Sequence, residues 1–200
     1  MPVTREKGEE AGSGRAQAGV ALEVGPLPES SLEDLMVRDT DGPRTFVALD
    51  GVEDPQNLGA IARVADAAGV TALVLTHRRA PPLSPAVSRA SAGAIEWLPV
   101  ARVPNLRRAL NQLKGQGFWI FGADPEGAES LFAVPEMWLR GDRVLVLGAE
   151  GRGLRSGILA AVDHRVRVPM TGRVASLNVA AAAAVILFEM ARRQESATSP

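Results

Sequence analysis

An α/β domain with a mostly parallel sheet flanked by helices is the fold class that this sequence predicts, and three observations support it. From residue 45 onward, short apolar runs alternate with stretches of helical character. The run at residues 144–147, Val-Leu-Val-Leu, is apolar throughout, as in a strand buried on both faces. Glycine-rich or polar segments follow several of these runs, as loops follow the strands of an α/β sheet.

The first five predicted elements lie between residues 45 and 100. Residues 45–49 and 71–75 are apolar runs with β-branched members, and each has the length of a strand. Between them, residues 58–68 have the apolar spacing of a helix. A short helix at residues 84–92 and a short strand at residues 96–100 complete this half.

The second half continues the alternation. Residues 105–116 predict a helix that ends before a glycine, and residues 118–122 return as a strand. Strands at residues 144–147 and 165–168 come next. An alanine-rich run at residues 177–193 then predicts a long helix.

Residues 1–43 differ in composition from the rest of the chain. They are rich in Gly, Glu, Ser and Pro without a sustained period, so we expect a flexible acidic leader in which only residues 32–37 are amphipathic enough to pack. The remaining length suits one domain, which we place at residues 44–200.

Composition argues against several classes of protein. The chain has no run of 18 apolar residues, and its first twenty residues lack an apolar signal core, so we expect a cytoplasmic protein without a membrane span. The absence of cysteine excludes disulfides and thiolate metal sites, and His77 and His164 are the only imidazoles. We therefore expect no metal centre.

Charge is distributed unevenly along the chain, although the net charge is only −1. Residues 1–56 contain 5 Lys or Arg and 12 Asp or Glu, whereas residues 57–200 contain 17 and 11. Twenty of the 22 basic residues are arginine, which binds phosphate in a bidentate way, although genomic base composition also explains an arginine excess. The asymmetry favours a polyanionic partner. The candidate surface for it consists of His77, Arg78, Arg79, Arg89, Arg107, Arg152, Arg155 and Arg173.

A loop with three glycines follows the strand at residues 144–147. Gly148, Gly151 and Gly153 are spaced as G-x-x-G-x-G, which differs from the dinucleotide fingerprint G-x-G-x-x-G, and no G-x-x-x-x-G-K-[ST] triphosphate loop occurs. Glycine permits positive φ and close approach of a ligand or of another backbone. By itself the loop fits either a tight turn or a ligand site.

Polar residues stand at the starts of two helices. Ser176 is the expected N-cap of the alanine-rich helix, and Asn178 is expected in its first turn, where the side chain can face a ligand. Asn57 and Arg63 lie six residues apart near the first predicted helix of the domain, and both are expected to reach one end of the sheet. Taken alone, Arg63 is better explained as a solvated helix charge.

Three groups of residues together resemble one family. The first group is Asn-Leu-Gly-Ala-Ile-Ala-Arg at residues 57–63, and the second is Leu-Gly-Ala-Glu-Gly-Arg-Gly-Leu at residues 147–154. The third is Val-Pro-Met at residues 168–170 with Ser-Leu-Asn-Val at residues 176–179. Their order and spacing resemble those of the SpoU/TrmH family of RNA 2′-O-methyltransferases. The resemblance extends over about residues 44–193.

Two further segments resemble one branch of that family. Residues 49–57 and 65–70 are most similar to the bacterial 23S rRNA guanosine 2′-O-methyltransferases, which modify the peptidyl-transferase P-loop. Bacterial members of this branch usually carry a ribosomal-protein-like RNA-binding domain ahead of the catalytic domain. In this chain residues 17–22 resemble the linker that follows that domain, and we expect the domain itself to be absent.

The resemblance implies a fold, a cofactor and an assembly. It implies a deep trefoil knot near the C-terminus, S-adenosylmethionine bound in the knot, an RNA substrate expected to be 23S rRNA, and a homodimer with its active site at the subunit interface. The matches to the family's cofactor-binding positions are Gly148, Glu150, Gly151, Val168, Met170, Leu177 and Asn178. The matches to its catalytic and substrate-placing positions are Asn57, Arg63, Glu150, Ser176 and Asn178.

Chemistry constrains the roles that the resemblance implies. The reaction is displacement of a methyl group from a sulfonium by a ribose 2′-hydroxyl. A guanidinium, with a pKa above about 12, does not deprotonate in a protein, so we expect Arg63 to hold a substrate phosphate and to stabilise the developing 2′-alkoxide. Glu150 is then the candidate proton acceptor or orienter.

Other functions compete with this interpretation. A nucleotide-dependent oxidoreductase requires a glycine fingerprint after the first strand, where residues 50–55 read Asp-Gly-Val-Glu-Asp-Pro instead. A catalytically silent RNA-binding or ribosome-assembly protein keeps the fold without the reaction. A tRNA ribose 2′-O-methyltransferase shares the catalytic motifs, so the motifs do not separate it from the rRNA enzyme.

Overall fold

Apolar strands buried on both faces make up the centre of the fold. The structure is a computed structural model that describes residues 27, 29–37, 40 and 42–198, with side chains up to residue 194. Its strands are β1 (Thr45–Asp50), β2 (Ala72–Thr76), β3 (Val100–Val103), β4 (Trp119–Ala123), β5 (Glu129–Ser130), β6 (Arg143–Gly148) and β7 (His164–Arg167). They form one sheet in the order β3-β2-β1-β6-β4-β7-β5, and each pairing is parallel.

Helices cover both faces of this sheet. Within the described residues they are α1 (Leu32–Val37), α2 (Pro55–Ala67), α3 (Pro85–Ala90), α4 (Leu106–Gly115), α5 (Ser156–Leu159) and α6 (Val179–Thr198). Helices α2, α3 and α6 share a core with strand residues such as Val47 and Leu49, whereas α1, α4 and α5 share one with Phe46 and Ala48. Alternate side chains of one strand thus enter two different cores, which is why the strands are apolar throughout. The predicted fold class is confirmed.

Most of the predicted acidic leader at residues 1–43 lies outside the described residues. The exception is α1, in which Leu32 and Leu35 are buried, as expected for the amphipathic patch. Just before it, Ser30 N–H donates to the Val100 carbonyl (2.8 Å) and so extends the sheet beyond its edge strand β3.

The strand predicted at residues 96–100 is wrong over most of its length. Gly93 adopts a φ of +86°, and the chain then forms a 3₁₀ turn at Ala94–Glu96, where Trp97 N–H donates to the Ala94 carbonyl (3.1 Å). The Trp97 side chain is 82% exposed, so it belongs to a surface turn. Strand β3 begins only at Val100.

Two helix starts differ by more than one residue from the predicted ones. Helix α2 begins at Pro55, three residues early, because the Asp54 side chain accepts a hydrogen bond from Gln56 N–H (3.0 Å) and a proline suits the first turn. Helix α6 begins at Val179, two residues late. The short elements β5 and α5 were not predicted, because two to four residues are too few to show a period.

Because every strand is parallel, the carboxyl ends of all seven lie at one edge of the sheet. The loops that follow β1, β4, β6 and β7 therefore meet there, and ligands of α/β proteins bind outside this edge. No helix among the described residues is both long and apolar enough to cross a membrane.

Candidate functional site

The glycine loop after β6 turns back over the end of its own strand. Gly153 N–H donates to the Ala149 carbonyl (2.9 Å). A Cβ on Gly148 would lie 2.6 Å from the backbone nitrogen of Leu154, closer than real Cβ atoms come to other atoms. Gly151 and Gly153 adopt φ values of +75° and +63°, which favour glycine. The loop is therefore a tight turn that glycine makes possible.

A buried carboxylate ties the end of this loop to β1. Asp50, the last residue of β1, is 1% exposed and accepts hydrogen bonds from the backbone N–H (3.0 Å) and Nε (2.7 Å) of Arg155. The side-chain hydrogen bond to Asp50 raises the pKa of Arg155. The guanidinium is thus engaged within the protein, although Arg155 was predicted for the basic surface. Sequence reasoning missed Asp50, whose signal was an acidic residue at the end of an apolar strand.

Three predicted catalytic residues meet in one hydrogen-bonded network. Asn178 Nδ2 donates to Asn57 Oδ1 (3.0 Å), at the start of α2, and to Glu150 Oε1, in the glycine loop. The three residues come from three separate segments that the parallel sheet brings to one edge. Both protons of the Asn178 amide are used in this arrangement, which leaves Glu150 oriented by an uncharged donor.

The network also determines where α6 begins. Asn178 Oδ1 accepts hydrogen bonds from the backbone N–H groups of Ala180 (2.9 Å) and Ala181 (3.4 Å), so Asn178 is the N-cap of α6. The prediction that Ser176 caps this helix is wrong. Capping also fixes the orientation of the amide, because only its oxygen can accept from the helix, and its nitrogen must then face Asn57 and Glu150.

A cavity of about 380 Å³ opens between the glycine loop and the start of α6. Apolar side chains form much of its wall, among them Leu147, Leu154 and Val166. Seven residues from the predicted site also line it, namely Gly148, Glu150, Gly151, Val168, Met170, Ser176 and Leu177. Asn178 is not among the lining residues, and it reaches the cavity only through its hydrogen bond to Glu150.

Charged residues that the sequence did not indicate brace the opposite wall of the cavity. Asp124 follows β4 and pairs with Arg165 of β7 through Nε (2.8 Å) and Nη2 (2.6 Å). Arg167 Nη1 donates to the carbonyls of Gly127 (2.7 Å) and Ala128 (2.9 Å). These contacts hold the loop after β4 against β7. Within the described part of the chain, no group of three or more His, Asp or Glu is placed to hold a metal ion.

Arg63 stands apart from the network within one chain. It is exposed on α2, and no hydrogen bond or ion pair involves its side chain among the residues that the structure describes. Arg63 lies six positions after Asn57 on the helix, which is about 9 Å along the axis and about 240° around it. The two side chains therefore do not lie side by side, contrary to the expectation that both reach the same end of the sheet.

Comparisons with known proteins agree on one family. The profile of the SpoU rRNA Methylase family matches residues 44–188. The 23S rRNA (guanosine-2′-O-)-methyltransferase RlmB of Pseudomonas syringae is 39% identical over 185 residues, which cover 91% of this chain and 72% of that protein.

Solved structures show the same similarity. The SpoU methyltransferase AviRb from Streptomyces viridochromogenes, in complex with the cofactor AdoMet, has a TM-score of 0.74 and 29% identity, covering 84% of this chain and 66% of that one. An AdoMet-bound rRNA methyltransferase from Sinorhizobium meliloti has a TM-score of 0.73 and 32% identity, covering 82% of this chain and 61% of that one. This chain thus covers about two thirds of the length of these two solved chains.

Proposed function

The chain belongs to the SpoU rRNA methylase family, and on this premise we propose that it transfers a methyl group from S-adenosylmethionine to the ribose 2′-hydroxyl of a guanosine in 23S rRNA. The observation that carries the proposal is that the loops after β6 and β7 line one cavity whose wall includes Glu150, held in turn by Asn178 and Asn57. The similarity to RlmB supports the substrate, and a substrate of this kind supports a cytoplasmic location.

The cavity fits S-adenosylmethionine. Its size lies within the range of small-molecule sites, about 300–1,000 Å³. Apolar side chains offer surface to an adenine, and the backbones of Gly148, Val168 and Leu177 offer hydrogen-bonding groups to it. The residues that line the cavity also include positive and negative side chains, which suit the zwitterionic amino-acid group of the cofactor. When bound, S-adenosylmethionine supplies an electrophilic methyl group on a sulfonium.

The chain's own residues orient the acceptor hydroxyl and receive its proton. Glu150 is the one carboxylate of the Asn57–Asn178–Glu150 network and lines the cavity, and we assign it as proton acceptor or as orienter of the 2′-hydroxyl. Asn178 holds that carboxylate in position without neutralising it. Ser176 is exposed on the cavity wall, where its hydroxyl is free to contact substrate.

We place Arg63 in the active site of a second copy of the chain. Its guanidinium is exposed and lies away from its own network, whereas a developing 2′-alkoxide needs a positive charge nearby. Apolar side chains near the start and along the outer face of α6 support such a homodimer, because Met170, Val174 and Phe188 are 36%, 64% and 51% exposed.

We further propose that the chain from β6 onward is threaded as a deep trefoil knot. The support is the family resemblance together with the glycine loop and the segment before α6, which approach each other across one cavity. Single-molecule pulling tests the proposal. A chain pulled by its two ends stays shorter than its contour length if it is knotted, and reaches the full length if it is not.

Methyl transfer to RNA tests the function directly. The purified chain is incubated with labelled S-adenosylmethionine and a 23S rRNA fragment that contains the peptidyl-transferase P-loop, and the 2′-O-methyl position is mapped. We expect one methylated guanosine, formed about 10²-fold or more slowly with Glu150→Gln at the same protein concentration. Methylation of tRNA instead would favour the tRNA enzyme. Cofactor binding without methylation of either RNA would favour a silent RNA-binding protein.

A further inference from the structure

One arginine at the edge of the sheet holds a surface loop at two points. Arg102 lies on β3, and its side chain is only 11% exposed. Its Nη1 donates to the Thr76 carbonyl (3.3 Å) and its Nη2 to the Pro81 carbonyl (2.8 Å). Its Nε donates to the side-chain carboxylate of Glu29 (2.7 Å). The planar fork of one side chain thus spans both ends of the loop that follows β2.

The loop between these two points presents a cluster of basic side chains. His77, Arg78 and Arg79 are exposed, and no hydrogen bond or ion pair satisfies their side chains among the described residues. Arg79 has a φ of +64°, a conformation that non-glycine residues rarely adopt. The Thr76 hydroxyl donates to the Arg78 carbonyl and helps to fix the turn. Such strained backbone persists only where the surroundings hold it, and it is common at functional sites.

The basic loop lies at the same edge of the sheet as the proposed active site. Strand β2 pairs in parallel with β1, and β1 pairs in parallel with β6, so the loop stands one strand away from the end of β1 and two from the glycine loop. Strand spacing of about 4.8 Å puts it about 10 Å from the end of β6. An RNA strand whose target ribose lies beside Glu150 therefore passes the loop within a few nucleotides.

We propose that the loop at residues 77–79 binds the RNA backbone beside the target nucleotide, and that Arg102 is the positioning residue that holds this loop in its binding conformation. The inference rests on the proposed function, because it takes the substrate to be RNA. Unlike Arg155, the two loop arginines have no carboxylate partner among the described residues, so we take their charge to be available to phosphate. Phosphate contacts position a nucleic acid and carry no sequence information, so the loop supplies affinity and register.

RNA affinity measured against salt concentration tests the loop. For a 23S rRNA fragment, we expect Arg78→Ala and Arg79→Ala each to weaken binding about fivefold at physiological salt, and to reduce the slope of log affinity against log salt by about 0.7. Arg140→Ala is the matched control, because Arg140 is an exposed arginine at the opposite edge of the sheet, just before β6. S-adenosylmethionine affinity should be unchanged in all three variants.

The positioning role of Arg102 is tested by Arg102→Lys, which keeps the charge but loses the planar fork. We expect weaker RNA binding and a reduced salt slope in the otherwise wild-type protein. In the Arg78→Ala/Arg79→Ala protein, adding Arg102→Lys should cause no further loss, because the loop no longer contacts phosphate. A further loss of the same size in that background would show that Arg102 acts independently of the loop, and would overturn its assignment.

Failure of this inference is distinguishable from failure of the proposed function. If the wild-type chain methylates rRNA but the two loop variants bind RNA like Arg140→Ala, the basic loop is not an RNA-binding surface. If the wild-type chain binds S-adenosylmethionine yet neither binds nor methylates RNA, the proposed function fails and the inference fails with it. Thermal unfolding of each variant identifies any loss of affinity that comes from misfolding.

Discussion

At the scale of single residues, one amide joins the stability of α6 to the chemistry of the proposed site. Asn178 accepts from the helix backbone through its oxygen and donates to Asn57 and Glu150 through its nitrogen. Serine, threonine and aspartate also cap helices well, but none of them offers two N–H donors beside the accepting oxygen. Among these capping residues, only asparagine can therefore both cap α6 and donate to Asn57 and Glu150.

Asn178→Asp separates the two tasks. Aspartate caps a helix about as well as asparagine, so we expect the stability of the protein to fall by less than about 1 kcal/mol. The substitution also removes both donors and puts a second carboxylate beside Glu150, so single-turnover methylation should slow at least about tenfold, a barrier change of ~1.4 kcal/mol. Asn178→Ala is the companion variant, which should lose stability as well as rate. Methylation by Asn178→Asp at the wild-type rate would contradict the role of the amide.

The proposed roles of Arg63 and Glu150 make a second residue-scale prediction. Removing an electrostatic stabiliser of a developing oxyanion costs about 10²–10³ in rate, so Arg63→Lys, which misplaces the charge, should be severely slowed. Glu150→Gln keeps an acceptor for Asn178 but cannot take a proton, and should lose about 10²-fold or more if Glu150 is the base. The measurement is single-turnover methylation across pH. Near wild-type rates for Arg63→Lys would exclude our assignment of Arg63.

At the scale of elements, the glycine loop is a structural turn and a cavity wall at once. The close approach of Gly148 to the Leu154 backbone and the positive φ values shape the turn, and the same fold turns backbone groups toward the cavity. The sequence left open whether the loop is a tight turn or part of a ligand site, and these two interpretations are therefore compatible. The Asp50 carboxylate then holds the exit of the loop through Arg155.

Gly148→Ala tests the shape of the loop. The added methyl would overlap the backbone of the loop itself, which cannot shift as a flexible side chain does, so we expect a loss of about 1–3 kcal/mol of stability and a large loss of S-adenosylmethionine affinity. The matched control is Gly157→Ala in α5, where a Cβ meets nothing within 4 Å. That change should be neutral or stabilise by up to about 1 kcal/mol. Calorimetry and urea unfolding measure both effects, and normal cofactor affinity in Gly148→Ala would contradict the geometry.

The far end of α6 is held by a second polar cluster. Hydrogen bonds from Arg192 and Arg193 lower the pKa of Glu189 to about 2. Arg193 also donates to the carbonyls of Val134 and Phe132, in the segment between β5 and β6. The cluster thus fastens the helix to a stretch without regular strands, and the sequence showed no sign of it.

This cluster predicts a pH dependence of stability. The carboxyl of Glu189 has its ordinary pKa of 4.5 in the unfolded chain and about 2 in the folded one, so its contribution is present above about pH 5 and is lost as the pH falls toward 2. Glu189→Gln should therefore be less stable than wild type at neutral pH, and the difference should shrink with acidification. Urea unfolding at several pH values measures it, with Glu53→Gln as control, because Glu53 is exposed and lies on the loop after β1, away from this cluster. A difference that does not change with pH would contradict the prediction.

At the scale of the whole molecule, a single chain holds the cavity and the Asn57–Asn178–Glu150 network but leaves Arg63 outside it. Mixing two inactive variants tests whether a second copy completes the site. Consider a heterodimer of one Arg63→Ala subunit and one Glu150→Gln subunit. If each site combines Glu150 of one subunit with Arg63 of the other, one of the two sites contains both wild-type residues. If both residues come from the same subunit, neither site does. In the first arrangement, random exchange of subunits should restore about a quarter of the wild-type activity. No recovery, with subunit exchange verified, would place Arg63 in the site of its own chain.

Local sequence predicted the elements that have enough residues to show a period. Strand β6 and helix α4 were placed within two residues of their ends, because apolar spacing reflects burial along one segment. Residues 96–100 were misjudged because a short apolar stretch in a surface turn resembles a strand. Motif spacing also identified the residues that line the cavity, which are adjacent or nearly adjacent in the chain.

The sequence by itself thus determined the α/β class, the family, and the set of residues around the site. Only the tertiary structure decided how they are joined: Asn178 to Asn57 across 121 residues, Arg155 to Asp50 across 105, and the loop after β2 to Arg102 across 26 and 21. The physical reason is strand order. Insertion of β6 between β1 and β4 brings distant loops to one edge of the sheet. That strand order depends on packing among all the strands, so the apolar spacing within one segment cannot predict it.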